Sequence, residues 1–188
     1  SRAEHFHADN FTCPEINVPQ AFVNLLRDDN HFYASGPTYP YSCINEKIHI
    51  DANGQQSIGR LAARSVLGII KGEQRFRGLI PIGMEMHDTC VTVNFNHTGN
   101  SLLFDTVQVS KAEHYGFSVI NSANKDIISS VQISDFAITI NCSQTAVDSK
   151  IRYGVNGDYM KSGRFHGPRG NLRDDFGNWC YQFELSTE

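Results

Sequence analysis

The spacing of apolar residues changes partway along this chain. Up to about residue 72 they recur every three to four positions, as on helices that bury one face. Residues 19–27 begin with a proline, which is favoured at a helix start, and predict a helix with Phe22, Val23 and Leu26 on its apolar face. A short strand is expected at 32–34, before a loop at 36–40.

The clearest helical pattern follows Asn53. Either Asp51 or Asn53 can cap its first turn, and Gly72 supplies a stop. Residues 73–78 are polar and end in glycine, so we place a domain boundary there, between residues 1–72 and 73–188. The positions expected on the single buried face of this helix are Ile58, Leu61, Ala62, Ser65, Val66 and Ile69.

After residue 78 the period of the apolar residues becomes two. Ile80, Ile82, Met84 and Met86 are expected on one face of a first strand. About eight short strands, separated by turn clusters and without helices between them, predict an antiparallel β-sandwich. Residues 154–178 predict a long loop. Such a loop either binds a ligand or partner or is held in place by its own Arg–Asp network. The further strands are expected at 91–95, 101–104, 117–120, 127–133, 136–142, 150–153 and 179–185.

Charge and composition exclude several classes of partner. The net charge is −4, and the sixteen Lys and Arg form no continuous basic stripe, so we expect no nucleic-acid partner. The longest apolar run, 66–70, is too short to span a bilayer, so we expect no membrane insertion. The chain begins at Ser1 without a methionine, and we interpret it as a piece of a longer polypeptide.

The cysteines and the N-terminal histidines are the candidate metal ligands of the chain. Five irregularly spaced cysteines without a CxxC pair argue against disulfides and structural zinc, and favour buried free thiols in a reducing cytoplasm. His5 and His7 could face one way on an extended segment, but no third ligand lies nearby in the sequence. We therefore expect no metal and no cofactor.

His49 is the candidate catalytic residue. It lies just ahead of the second predicted helix, with Glu46 three residues upstream. A histidine oriented by a carboxylate can take the proton of a serine hydroxyl, and SGNH-type hydrolases place these two groups at this spacing. The chain contains no Gly-Asp-Ser, Gly-x-Ser-x-Gly or Gly-x-Asn-Asp segment to supply a nucleophile or oxyanion donors. It thus contains at most the acid and base half of a catalytic site.

Several segments together resemble a known family. They are FYASGPTY at 32–39, Ile48-His49 with the helix led by Gly54, GPRGNLRD at 167–174 and NWCYQFE at 178–184. From about residue 28 to the end, the chain resembles the C-terminal part of bacteriophage tail fibres and tailspikes that have an SGNH-like esterase domain followed by a β-sandwich. The resemblance implies a mostly β fold, with a truncated α/β (SGNH-hydrolase-like) segment before a C-terminal antiparallel β-sandwich.

The resemblance also implies a function. It predicts a homotrimer at the tip of a phage tail, assembled in the bacterial cytoplasm, which binds bacterial surface polysaccharide and in some members removes O-acetyl groups from it. Only His49 matches a catalytic position of the family, because Glu46 stands where the family usually has aspartate. The expected carbohydrate-binding residues are Arg169, Arg173, Trp179 and Tyr159, with Tyr153 as a further stacking candidate.

Alternatives stay open at this stage. Trp179 alternates with Tyr181, Phe183 and Leu185, so the alternative to a sugar-stacking role is that Trp179 is a core residue of a strand. The leading hypothesis for the chain is a polysaccharide-binding part of a tail fibre. The alternative is the C-terminal portion of a carbohydrate O-acetylesterase that acts on capsule or O-antigen, and a third is a module that only holds three chains together.

Overall fold

The structure, a computed structural model, is mostly β and describes residues 16–29, 31–72, 78–96, 98–158 and 160–186. Within these ranges lie two α-helices, α1 (Asn17–Asp28) and α2 (Ala52–Lys71). The predicted mostly β class is confirmed. The strands are β1 (Pro81–His87), β2 (Cys90–Phe95), β3 (Leu102–Phe104), β4 (Phe117–Ile120), β5 (Ile128–Ser134), β6 (Ala137–Cys142), β7 (Lys150–Tyr153), β8 (Leu172–Asp174) and β9 (Phe183–Ser186).

The helices begin and end close to where the sequence predicts. Helix α1 has Pro19 in its first turn and buries Pro19, Val23 and Leu26. Asp51 is the residue that caps α2, because its carboxylate accepts a hydrogen bond from the Gly54 N–H at 2.8 Å. Gly72 ends α2 in the left-handed conformation, with φ of 70°, which glycine adopts without strain.

The predicted buried face of α2 is only partly buried. Ser65 and Gly68 are buried, and Ile58, Leu61 and Ala62 are half-buried. Val66 and Ile69, expected in the core, are 53% and 41% exposed. The pattern identified half-buried positions, but among the residues of α2 only Gly54, Ser65 and Gly68 are buried.

The strands form three antiparallel sheets, in the orders β1-β2-β6-β5, β3-β8 and β4-β7-β9. Apolar side chains of β2 and β6 belong to the same buried cluster as those of β4, β7 and β9, together with Val23 and Leu26 of α1. Burial of this shared cluster is the main stabilising contribution to the fold. The face-to-face packing of a sandwich stays a prediction.

Two strand predictions and one loop prediction were wrong. Residues 32–34 lie in no strand; Phe32 instead packs edge-to-face on Phe22, with ring centroids 5.8 Å apart. The predicted loop 154–178 contains β8, whose backbone pairs with β3. The last strand begins at Phe183 and not at Trp179, which forms a single bridge to Arg173. Of these, only the formation of β8 depends on a pairing partner that is distant in sequence.

Other expectations have mixed outcomes. A bulge between Pro81 and Gly83 takes Ile82 off its predicted face, and Ile82 is 54% exposed. Cys43, Cys142 and Cys180 are buried free thiols as expected, whereas the free thiol of Cys90 is half-buried. Cys13, His5 and His7 lie outside the described residues. The proposed domain boundary also falls on residues, 73–77, that the structure does not describe. Neither described helix is long and apolar enough to cross a membrane.

Candidate functional site

The loop that precedes α2 holds the backbone of His49 in a defined place. Cys43 and Ile50 form an antiparallel bridge across the loop, and the Ile44 N–H donates to the His49 carbonyl at 2.7 Å. The Ser42 hydroxyl donates to the Asp51 carboxylate at 2.7 Å, which joins the loop to the start of the helix. Both ends of the loop are therefore anchored, and His49 lies two residues before the cap of α2.

The side chains of His49 and Glu46 are both exposed and do not pair with one another. Within the described part of the chain neither side chain makes a hydrogen bond or an ion pair. Glu46 contributes its backbone instead, because its carbonyl accepts from the Ser162 N–H at 2.8 Å. An exposed carboxylate and imidazole gain little free energy from pairing, so spacing alone does not bring them together.

Asp51 is a second carboxylate near His49 in sequence, but it is engaged in capping. The hydrogen bond from the Gly54 N–H, followed by that from the Ser42 hydroxyl, lowers the pKa of Asp51. Among the residues that the structure describes, no three His, Cys, Asp or Glu side chains come together as a metal site. The described part of the site therefore offers His49 as a base without a bound partner.

Arg169 is used mainly inside the fold. Its guanidinium donates to the carbonyls of Ser110 and Gly167, at 3.0 and 3.1 Å, and to that of Lys111 at 3.4 Å. Burial lowers the pKa of Arg169. Arg169 also lines a pocket of about 310 Å³, together with Asp126, Asp158 and His166. Arg169 is therefore held by backbone carbonyls, and the expected Arg–Asp contact occurs instead at Arg173, whose Nε donates to the Asp105 carboxylate at 2.8 Å.

Asn171 is a structural residue that the sequence did not single out. Its side chain is completely buried, and its Oδ1 accepts from the Ala112 N–H at 2.8 Å. Its Nδ2 donates to the carbonyls of Asp105 and Val109, at 2.9 and 3.0 Å. This one amide therefore ties the GPRGNLRD segment to the loop 105–112. An asparagine in a polar segment gives no sequence signal for such burial.

The aromatic candidates are less exposed than sugar stacking requires. Trp179 is 3% exposed and packs edge-to-face on Tyr39 at 6.0 Å, which confirms its interpretation as a core residue. Tyr153 is fully buried, so the expectation that its ring stacks on a sugar was wrong. The ring of Tyr153 belongs to the main apolar core, and that of Trp179 to a smaller buried cluster with Tyr39 and Val109. Tyr159 lies outside the described residues.

A cleft of about 520 Å³ lies between α2 and the segment 173–179, and we call it the α2 cleft. Two of the predicted carbohydrate-binding residues, Arg173 and Trp179, line it, together with two arginines of α2 that the sequence analysis did not select. Arg169 lines the other pocket, so the structure does not gather the predicted binding residues into one place. The lining residues are Tyr41, Ser57, Arg60, Leu61, Arg64, Gln108, Arg173, Asp175, Phe176, Gly177 and Trp179.

Comparison with known proteins yields a similarity of fold. No protein-family model matches the chain, and no curated protein matches it. Among solved structures, the chain is similar to XAC1771, a carbohydrate acetylesterase from Xanthomonas citri, with a TM-score of 0.54 and 15% sequence identity. The match covers 77% of this chain and 31% of that protein, so the chain spans about a third of the length of this relative in structure. The chain therefore has a mostly β fold that is similar to part of a carbohydrate acetylesterase.

Proposed function

We propose that this chain is part of a serine carbohydrate O-acetylesterase of the SGNH type and supplies its general base, His49. One observation supports this most directly: an exposed imidazole without a partner, on a loop anchored at both ends, immediately before α2. The similarity of fold to part of a carbohydrate acetylesterase supports the same proposal.

In the proposed reaction His49 takes the proton of a serine hydroxyl as that oxygen attacks the acetyl carbonyl. It then returns the proton to the sugar oxygen that leaves, which gives an acetyl-serine; water deprotonated by His49 attacks this ester, and the serine oxygen leaves and takes that proton back as acetate is released. No serine hydroxyl of the described residues donates to the His49 imidazole. The nucleophile and the oxyanion donors therefore come, in this proposal, from the remainder of the polypeptide. Glu46 is the carboxylate that we propose to orient the imidazole once the site is complete.

The test is acetate release from an O-acetylated polysaccharide by the polypeptide that contains this chain. His49→Ala should lower the rate by a factor on the order of 10² to 10⁴, because a positioned base contributes about that much. His87→Ala is the matched control, since the His87 side chain is 80% exposed and lies at the end of β1. Full activity of the His49→Ala protein, with the control also active, would refute the proposal.

A second proposal keeps the tail-fibre hypothesis, in which the chain is the distal part of a phage tail fibre or tailspike and binds bacterial surface polysaccharide as a homotrimer. The observation that favours a binding role is the α2 cleft, which combines guanidinium groups with the ring of Phe176. Light scattering after size exclusion tests for a trimer, and a glycan array tests binding. A monomer that binds no glycan on the array would exclude this role.

A further inference from the structure

The α2 cleft is positively charged although the chain is acidic overall. Its lining includes three arginines and one aspartate, which leaves two excess positive charges, whereas the whole chain has a net charge of −4. The aspartate, Asp175, accepts hydrogen bonds from the backbone and side-chain amides of Asn100. Asp175 keeps its negative charge, and the charge of Arg173 is balanced by its ion pair with Asp105, so the excess positive charge of the cleft comes from Arg60 and Arg64 on α2.

Two of the three arginines are held in place by the protein itself. The Nε of Arg173 donates to the Asp105 carboxylate at 2.8 Å, and its Nη1 donates to the Asp174 carbonyl at 2.9 Å. The guanidinium of Arg64 donates to the Phe176 carbonyl at 2.5 Å and to the Asn178 side chain. These contacts hold both guanidinium groups in place at the wall of the cleft.

Arg60 differs from the other two arginines. It is exposed and lies one helical turn before Arg64. In the part of the chain that the structure describes, it has neither a hydrogen-bond partner nor an ion-pair partner. Two like charges at this spacing on a helix destabilise it slightly, and an anion placed between them would relieve that repulsion. Arg60 and Arg64 thus form a pair that is suited to a bound anion.

The remaining surface of the cleft suits a ring with hydroxyl groups. Phe176 is 42% exposed and lines the cleft together with the three arginines. The Gln108 amide and the Ser57 hydroxyl add neutral hydrogen-bonding groups. Sugars bind to such surfaces, because one face of a pyranose ring is apolar and its hydroxyls need polar partners. Phosphate alone would leave the aromatic side of the cleft without a contact.

From these features we propose that the α2 cleft binds a sugar that carries a carboxylate, a uronic acid residue, with its carboxylate between Arg60 and Arg64 and its ring against Phe176. The planar guanidinium fork matches a carboxylate in shape and charge. This inference rests on the proposal that the chain acts on carbohydrate, and it names the class of saccharide, an acidic one.

The experiment measures binding by calorimetry to the polypeptide that contains this chain, with a galacturonic acid trimer and a neutral galactose trimer as probes. We expect the acidic trimer to bind at least about tenfold more tightly, with an advantage that falls as salt is added, because exposed charges are screened. Arg60→Gln should weaken its binding about fivefold and Arg60→Lys by less, since the charge is kept. Lys71→Gln removes a charge from the last residue of the same helix and should change little.

Three outcomes would overturn the inference: equal binding of the two trimers, an unchanged affinity in Arg60→Gln, or an equal loss in Lys71→Gln. Binding of an acidic peptide as tightly as the galacturonic acid trimer would overturn the assignment to a sugar. The proposed esterase is tested separately, because His49→Ala should keep uronate binding while it loses acetate release.

Discussion

Replacing Asn171 tests how the GPRGNLRD segment is held. In Asn171→Ala the Ala112 N–H and the carbonyls of Asp105 and Val109 all lose their partner, and the side chain that is removed is completely buried. An unsatisfied buried polar group costs about 1–3 kcal/mol, and water that enters the vacated space recovers part of this. We expect the free energy of unfolding to fall by about 3 kcal/mol.

The measurement is thermal and urea unfolding of this chain, followed by the fluorescence of Trp179, the one tryptophan and a buried residue. A loss of about 3 kcal/mol corresponds to a decrease in Tm of about 6–12 °C for a protein of this size. Asn171→Asp keeps the side-chain volume but replaces the donor with an acceptor. It should therefore be destabilising too, which separates lost hydrogen bonds from lost packing.

The matched control is Asn141→Ala. Asn141 is exposed on β6, and its side chain makes one hydrogen bond, to the Ser130 hydroxyl at 2.9 Å. Exposed substitutions of this kind usually change stability by no more than about 0.5 kcal/mol. If Asn171→Ala lowers stability no more than this control does, the reasoning from buried hydrogen bonds is wrong.

Two further predictions concern a glycine and a carboxylate. A Cβ at Gly170 would collide with the buried ring of Tyr153, so Gly170→Ala should lower the free energy of unfolding by about 2 kcal/mol or more. Gly59 lies on α2 with open space around it, so Gly59→Ala should raise the free energy of unfolding by about 0.5–1 kcal/mol. Urea unfolding measures both changes, and an equal change in the free energy of unfolding for the two variants would contradict the predicted collision at Gly170. Burial acts to raise the pKa of Asp105, but hydrogen bonds from the Gln108 N–H and from Arg173 outweigh it and hold the pKa below its usual value. Because the folded-state pKa is depressed, the resulting stabilisation is present above about pH 4 and is lost as the pH falls through the folded-state pKa. Asp105→Asn should therefore be less stable near neutrality and lose less stability on acidification; an acid titration showing the same loss in both proteins would refute this.

The sequence alone was enough to predict most individual elements. Alternation of apolar residues located β2 and β6, because each of these strands buries one face and leaves the other more exposed. The capping residues of α2 were also predictable, since the signals that start and stop a helix lie within a few residues of its ends. His49 could be selected as a base because its position before a helix is a local feature.

The tertiary structure decided how those elements meet. Strand β8 was missed because a segment of three residues shows no periodicity, and only its pairing with β3 makes it a strand. The side chains of His49 and Glu46 stay apart because nothing buries them, whereas Trp179 is buried because the core surrounds it. Arg60 and Arg64 of α2 line one cleft with Arg173, more than a hundred residues later in the chain. Local patterns determine helices and strands through backbone and burial preferences, but a binding site depends on contacts between distant residues, and a single sequence does not record those.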